Sequence, residues 1–278
     1  MTGLEPTAEF VDAARALAID FEPGDLERLG SFLGLLLEAN KTTNLTAITD
    51  PAQAWMRHIL DALTIVPVLA SVGEADQSTG DLGPGNGAGA TRPVDEKRGG
   101  RAAAVIDVGS GGGVPALPLA IILPEMKFTL VEATGKKAEF LKKASAALKL
   151  TNVTVLQDRA EKLGQDHKVH RERYDAAMAR ALGHLAIVAE LCGPLVRPGG
   201  VVVAVKGAKA EQELQESGKA LGLIGLRHTE TVQTPTGRLV VLEKTVRTPR
   251  GYPRRDGEPA RLPLGLGSSA DRAKQTRA

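Results

Sequence analysis

A chain of 278 residues with 42% hydrophobic and 24% charged residues has the composition of a folded protein, long enough for one large domain with appendages. Aromatic residues at 3% argue against base stacking on aromatic platforms as the main mode of action. The single cysteine, Cys192, excludes an internal disulfide and any multi-cysteine zinc or iron–sulfur site. The net charge of +2 hides an asymmetry, because residues 245–278 hold eight Arg/Lys against three Asp/Glu and the body is mildly acidic.

The first residues carry Glu5, Glu9 and Asp12 and show no basic segment followed by an apolar one, so no secretion signal is expected. No membrane span is expected either. The longest uncharged run, Val108 to Pro124, is broken by four glycines and three prolines. A cytoplasmic, reducing setting is the expectation.

Residues 1–72 read as a helical extension. Phe10, Ala14, Leu17 and Ala18 recur at helical spacing, as do Leu26, Leu29, Leu33 and Leu37. Asp50-Pro51 then supplies an N-cap followed by proline at the first helical position. The helix it opens carries Trp55, Met56, Ile59, Leu60, Leu63 and Val66 along one side at 100° per residue, with Arg57, His58 and Asp61 opposite. Spacing alone makes the second group a solvated face with an i,i+4 Arg–Asp pair.

Residues 73–101 change character: eight of 29 are glycine, two are proline, and only Leu82 and Val94 are large aliphatics. Such a stretch buries too little to offset its ordering entropy, so 73–103 is expected to be a flexible insertion without chemistry.

From 104 to 245, short apolar strands alternate with helices. Strands are expected at 104–108, 128–132, 153–156, 174–179 and 201–205, with a last pair around 223–232 and 238–243, and helices near 115–123, 136–149 and 183–196. That order is the mark of βαβ units and a doubly wound, mostly parallel α/β sheet. Thr234-Pro-Thr-Gly237 reads as the turn of a closing hairpin, and 246–278 as a basic tail.

The chemistry sits after the first strand, where Asp107 leads into Gly109-Ser-Gly111-Gly-Gly113 and a helix. Glycines there let a ligand approach the backbone, and the turn presents helix N-terminal amides to it. Val114-Pro115 stands where a P-loop needs Gly-Lys-Ser/Thr. Val114 also takes the place of the third small residue of a dinucleotide fingerprint, which weakens a nicotinamide-dependent oxidoreductase without removing it. Asp-x-Gly-x-Gly-x-Gly fits instead the pattern of class I methyltransferases that bind S-adenosylmethionine (SAM). Glu132, 19 residues beyond Gly113 at the end of the second strand, can accept hydrogen bonds from both ribose hydroxyls of an adenosine ligand. Asp158, Ala160 and Glu161 after the third strand fall where an adenine ring would lie on such a fold, and fit equally well an ordinary turn and helix start.

The fourth strand ends Asp175-Ala-Ala-Met-Ala-Arg180-Ala, without the Asn/Asp-Pro-Pro-aromatic signature of exocyclic amine methylation. Cys192 lies ten residues further on, too far to serve as the nucleophile of pyrimidine C5 methylation. A ring nitrogen with a free lone pair, such as guanine N7, needs neither device, since its methylation requires positioning and no general base.

The combination of Asn44-Leu-Thr46, Arg57-His-Ile-Leu-Asp61, the glycine turn through Pro115, Met178-Ala-Arg180-Ala, Val205-Lys206-Gly207, Leu242-Glu-Lys-Thr245 and Tyr252-Pro-Arg-Arg255 resembles the bacterial ribosomal RNA small-subunit methyltransferase G family, formerly glucose-inhibited division protein B. The resemblance spans about 20–72 and 102–264. It implies a class I SAM-dependent methyltransferase, Rossmann-like, with a seven-stranded sheet. It also implies methyl transfer to N7 of one guanine in a 16S rRNA loop near the decoding centre, on free rRNA or the 30S subunit, without membrane or metal. Cofactor contacts carry over onto Gly109, Gly111, Val114, Glu132, Ala133, Thr134, Ala160, Glu161 and Arg180. Arg57, His58 and Lys206 become candidates for orienting the guanine, with Lys136, Lys137, Arg250, Arg254 and Arg255 as further RNA contacts. A non-catalytic RNA-binding or ribosome-assembly factor stays as an alternative.

Overall fold

The computed structural model describes residues 3–74 and 101–266. The expected insertion, from residue 75 to residue 100, and the end of the expected tail, 267–278, lie outside the described residues.

The N-terminal unit begins with α1 (Ala8–Ala16), capped by the Thr7 hydroxyl accepting from the Phe10 amide, and α2 (Asp25–Asn40). Asp50 caps α3 (Pro51–Ala54) by accepting from the Gln53 amide at 2.8 Å, as its sequence position requires. This helix then widens into a π-helical turn (Trp55–Leu60), in which the Asp61 amide bonds to the Met56 carbonyl, before α4 (Asp61–Leu63) and α5 (Val66–Glu74). Within Pro51–Val72 a window of 18 residues has a mean hydropathy of 1.3, long and apolar enough to cross a membrane by length and composition alone, and 67% of that window is buried inside the protein, as in a core helix.

Seven strands follow: β1 (Ala104–Val108), β2 (Lys127–Val131), β3 (Val153–Leu156), β4 (Tyr174–Arg180), β5 (Val196–Lys206), β6 (Leu226–Gln233) and β7 (Arg238–Lys244). They form one sheet in the order β3-β2-β1-β4-β5-β7-β6, parallel except for β7, which runs antiparallel to both neighbours. This is the class I methyltransferase arrangement. The β6–β7 hairpin turns where the sequence places it, with the Gly237 amide donating to the Thr234 hydroxyl at 3.0 Å.

Side-chain alternation along the strands splits the core into two layers. Val105, Phe128, Leu130, Met178, Val203 and Val241 face α6 (Ala116–Ile122), α7 (Gly135–Ala147) and the N-terminal helices. Ile106, Val108, Ala177, Val202, Val240 and Leu242 face α8 (Ala160–Gln165), α9 (Leu185–Cys192), α10 (Ala210–Glu216) and α11 (Gly218–Ile224). Helices α8, α10 and α11 have six or seven residues each and show no long apolar period, which is why sequence reading passes over them. Strand β5 starts at Val196 instead of 201, because Pro198-Gly199-Gly200 is carried inside it as an irregularity in the pairing with β4.

Residues 246–266 do not form the loose basic tail that composition suggests. They pack onto α8 and α9 and include α12 (Glu258–Arg261). Leu264 is buried in the second layer.

Candidate functional site

The strand order reverses beside β1, between β2 and β4, so a crevice opens at the carboxyl ends of these strands. The turn after β1 fills its floor. Gly109, Gly111 and Gly113 adopt φ of +74°, +53° and +84°, a region that side chains disfavour. A Cβ on Gly109 would stand 2.8 Å from the Leu182 side chain, so the turn and the segment after β4 lie in contact range. The amides of Gly109 and Ser110 donate to the Val131 carbonyl at 2.9 and 3.0 Å, which ties the turn to β2.

Glu132 follows directly. Its carboxylate is buried and accepts from the Gly111 amide at 2.9 Å through Oε2 and from the Thr134 amide at 2.7 Å through Oε1. The expected cofactor residues Gly109, Gly111, Val114, Glu132, Ala133 and Thr134 therefore sit together. The Glu132 amide bonds to the Leu156 carbonyl at 3.1 Å, which brings the β3–α8 turn and Ala160 to the same edge. Glu161 lies in the first turn of α8, and its Oε1 accepts from the Gly257 amide at 2.9 Å, so this oxygen faces the C-terminal segment.

Asp107, which the sequence shows only as the first letter of a motif, lies beneath the glycine turn. It is 2% exposed, and its Oδ2 has no hydrogen-bond partner among the described residues. Burial drives its pKa up to about 7, opposed by Ser110 and Arg180 and reinforced by the Glu132 charge. An orphaned buried carboxylate oxygen beneath a glycine cradle fits a ligand that brings a cation, and SAM carries an ammonium and a sulfonium. The cradle, the Glu132 carboxylate and Asp107 together fit that cofactor.

The N-terminal unit closes the crevice from the other side. The Asn40 side chain accepts from the amides of Leu45 and Thr46, and the Leu45 carbonyl would lie 3.3 Å from a Cβ on Gly112. His58 is 4% and Asp61 6% exposed, which overturns the solvated face read from spacing. The π-helical turn inserts one extra residue per turn and brings these polar side chains round toward β4. Arg57 alone of the three is exposed.

Arg180, at the end of β4, donates to the Arg57 carbonyl at 2.9 Å and approaches His58 Nδ1 at 3.4 Å. Burial and then the Arg180 charge hold the His58 pKa down at about 4, so the ring is neutral. With Arg180 as donor to Nδ1, the ring proton sits on Nε2 and faces the Thr46 hydroxyl at 2.8 Å. Asp61, raised by burial, accepts from the Thr236 hydroxyl on the β6–β7 turn. His58 thus has both nitrogens engaged inside the protein, one of them by Arg180.

Lys206 is not the free cation expected at the end of β5. Its ammonium donates to the Gly183 carbonyl and pairs with Glu213 Oε2, each at 2.6 Å. Glu213 in turn accepts from the Leu185 amide at 2.8 Å, so the pair braces the β4–α9 segment from α10. Arg254 is likewise already engaged within the protein. It is bound through Nε and Nη2 to the fully buried Glu190 at 2.8 and 2.6 Å. Lys136, Arg250 and Arg255 are exposed and Lys137 is half-buried. Cys192 is buried, and burial pushes its thiol above the ordinary range, consistent with a core residue. Among the described residues no group of three or more His, Cys, Asp or Glu is placed to hold a metal.

A family model described as rRNA small subunit methyltransferase G matches residues 25–91 and 90–241. The chain is 40% identical over 252 residues to the ribosomal RNA small subunit methyltransferase G of Sorangium cellulosum, covering 91% of this chain and 93% of that protein. It is 35% identical to the proteins of the same name from Leuconostoc citreum (92% of this chain, 98% of that one) and Moorella thermoacetica (88% and 93%). Among solved structures, a Methanococcus jannaschii fibrillarin pre-rRNA processing protein aligns with a TM-score of 0.43 at 14% identity, over 52% of this chain and 68% of that one. A T. thermophilus 16S rRNA methyltransferase in complex with AdoMet and guanosine aligns with a TM-score of 0.41 at 17% identity, over 53% and 36%.

Proposed function

The chain belongs to the rRNA small subunit methyltransferase G family, and from that premise we propose that its crevice transfers a methyl group from SAM to N7 of a single guanine of 16S rRNA. The enzyme is a SAM-dependent rRNA methyltransferase, and the observation that carries the finer reading is the composition of the crevice itself. The glycine turn with Glu132 and Asp107 faces Arg180 and Arg57 across the crevice, and the polar side chains beside those arginines are already bound within the protein. His58 is neutral but committed on both nitrogens, and Asp61 is bound to Thr236.

When bound, the cofactor supplies an electrophilic methyl group on sulfur. The protein's part is placement. Gly109 and Gly111 leave room for close approach, Glu132 offers its remaining lone pairs to ribose hydroxyls, and Asp107 stands beneath the turn as a buried acceptor. Ala133, Thr134, Val114 and Ala160 line the approach. Arg180, held by the Arg57 carbonyl and His58, and the exposed Arg57 guanidinium orient a guanine taken out of its stack. N7 carries no proton, so nothing need be removed from it, and holding nucleophile and methyl in line supplies the rate.

Three placements complete the proposal. The RNA is met as free 16S rRNA or in the 30S subunit, in the cytoplasm. Lys136 and Lys137 extend the positive surface beside the β2 end. Residues 104–245 form the SAM-binding domain and 1–72 its helical extension. Methyl transfer from radiolabelled SAM to 16S rRNA and 30S subunits prepared without this enzyme tests the reaction and its substrate. Label confined to one N7-methylguanine is expected. SAM binding without label on either substrate would leave a non-catalytic role, and label at another atom would remove the N7 assignment.

A further inference from the structure

Glu161, Arg171 and Glu190 are three of the charged side chains buried away from the reacting atoms. All three hold one surface segment, residues 248–258. Arg171 donates to the carbonyls of Thr248 and Tyr252 at 2.7 and 2.6 Å, and to Gly164 in α8 at 2.6 Å. Glu190 takes the Arg254 guanidinium through both oxygens, and its Oε1 also accepts the Arg254 amide at 2.9 Å. Burying charges is a poor route to stability, because apolar side chains of similar volume usually do as well. What the arrangement does is fix a position.

The element it fixes is α8. Six residues cannot hold a helix by themselves. The segment meets α8 at its first turn, through Gly257 on Glu161, and at its last residue, where Gln165 donates to the Pro253 carbonyl at 2.7 Å. Between these, Gly164 lies so close that a Cβ would stand 2.6 Å from the Pro253 ring. The turn before α8 is the one joined to Glu132 through the Leu156 carbonyl, so it adjoins the cradle.

We propose that residues 248–258 act as a strap that sets the β3–α8 turn against the adenine end of the cofactor, with Glu161 a positioning residue held by Gly257. This rests on the cofactor reading above and assigns the strap to it. Calorimetric titration of SAM into the full-length, cofactor-free protein tests the assignment, with thermal unfolding as the control for folding. Glu161→Ala weakens SAM by about tenfold, and Glu161→Gln, which keeps the acceptor for the Gly257 amide, recovers most of that loss. The paired replacement Glu190→Leu with Arg254→Leu touches no cofactor residue and produces the same loss, and adding Glu161→Ala to it costs little more. Gln165→Ala, on the partly exposed end of the clamp, gives a smaller loss of the same kind even if the paired replacement does not fold.

Wild-type affinity in Gln165→Ala or the paired variant, with a loss confined to Glu161→Ala, would overturn the strap and make Glu161 a direct contact. Failure of the wild-type chain to bind SAM would overturn the cofactor reading instead. Amide exchange over 157–161 still reports on the strap in that case: unchanged protection in the paired variant or in Gln165→Ala overturns it.

Discussion

Asp107 carries a carboxyl group into surroundings that favour its neutral form. Its native pKa of about 7 stands above the ordinary 3.8, so between these values the folded protein holds a proton that the unfolded chain releases. Stability of the cofactor-free enzyme therefore falls as pH rises through that window and levels off above about 7. A cation placed beside Oδ2 reverses the preference and draws the proton off. SAM binding should accordingly tighten between pH 6 and 8 with proton release, and Asp107→Asn should bind more weakly with a flat profile. Calorimetry in buffers of different ionisation enthalpy reads both, and a flat wild-type profile would detach Asp107 from the ligand.

Lys206 and Glu213 make a second argument at this scale. Their pair holds the segment after β4, and if the base is oriented beside that segment, as proposed, Lys206→Met and Glu213→Gln should lower turnover to a similar extent, about tenfold. SAM affinity should change little in either. If Glu213→Gln kept full turnover while Lys206→Met lost it, the ammonium would be acting on the RNA directly.

At the scale of elements, the glycine turn and the π-helical turn both place groups that regular geometry would misplace. Gly113 has φ +84°, and a Cβ there would come 2.6 Å from Leu117 and 3.1 Å from Leu141, side chains that hold α6 and α7 in the core. Gly113→Ala should cost about 1–3 kcal/mol by urea unfolding and weaken SAM binding as well. An undiminished unfolding midpoint would show that the turn relaxes. The π-helical turn explains why a helical wheel at 100° misassigns Arg57, His58 and Asp61. One residue more per turn rotates everything after Trp55, and both the apolar residues and two of the three polar ones become buried. Only contact with β4 and the β6–β7 turn makes that burial tolerable, since each buried polar group meets a partner there.

For the whole molecule, the N-terminal helices share one core with the sheet: Phe32, Leu36, Trp55 and Leu60 lie in the same cluster as Leu117, Phe128 and Leu141. The helical unit is thus a wall of the crevice. On the proposed reading, RNA reaches the crevice past Arg57 and Lys136, both exposed, and the half-buried Lys137. Replacing Arg57, Lys136 or Lys137 by a neutral residue should each flatten the dependence of log K on log salt by about 0.7–0.9. SAM affinity should not follow for the lysines. Arg254, equally basic in sequence, should behave differently and show its loss in stability, because its charge is spent on Glu190. Equal salt slopes for wild type and all three variants would place the RNA on another face.

The sequence by itself determined the sheet, the glycine turn, Glu132 and the family, because strands and turns are written in local periodicity and in residue types that the backbone demands. Short helices such as α8 left no such periodic trace, and the burial of His58 and Asp61 depended on a change of helical pitch that no spacing reveals. Which cations are free was decided only by tertiary structure. Lys206 and Arg254 look like Lys136 and Arg250 in a sequence, and their partners Glu213 and Glu190 lie seven and 64 residues away. A charge is available to a ligand only when no nearer opposite charge holds it, and that competition is settled by distance in space.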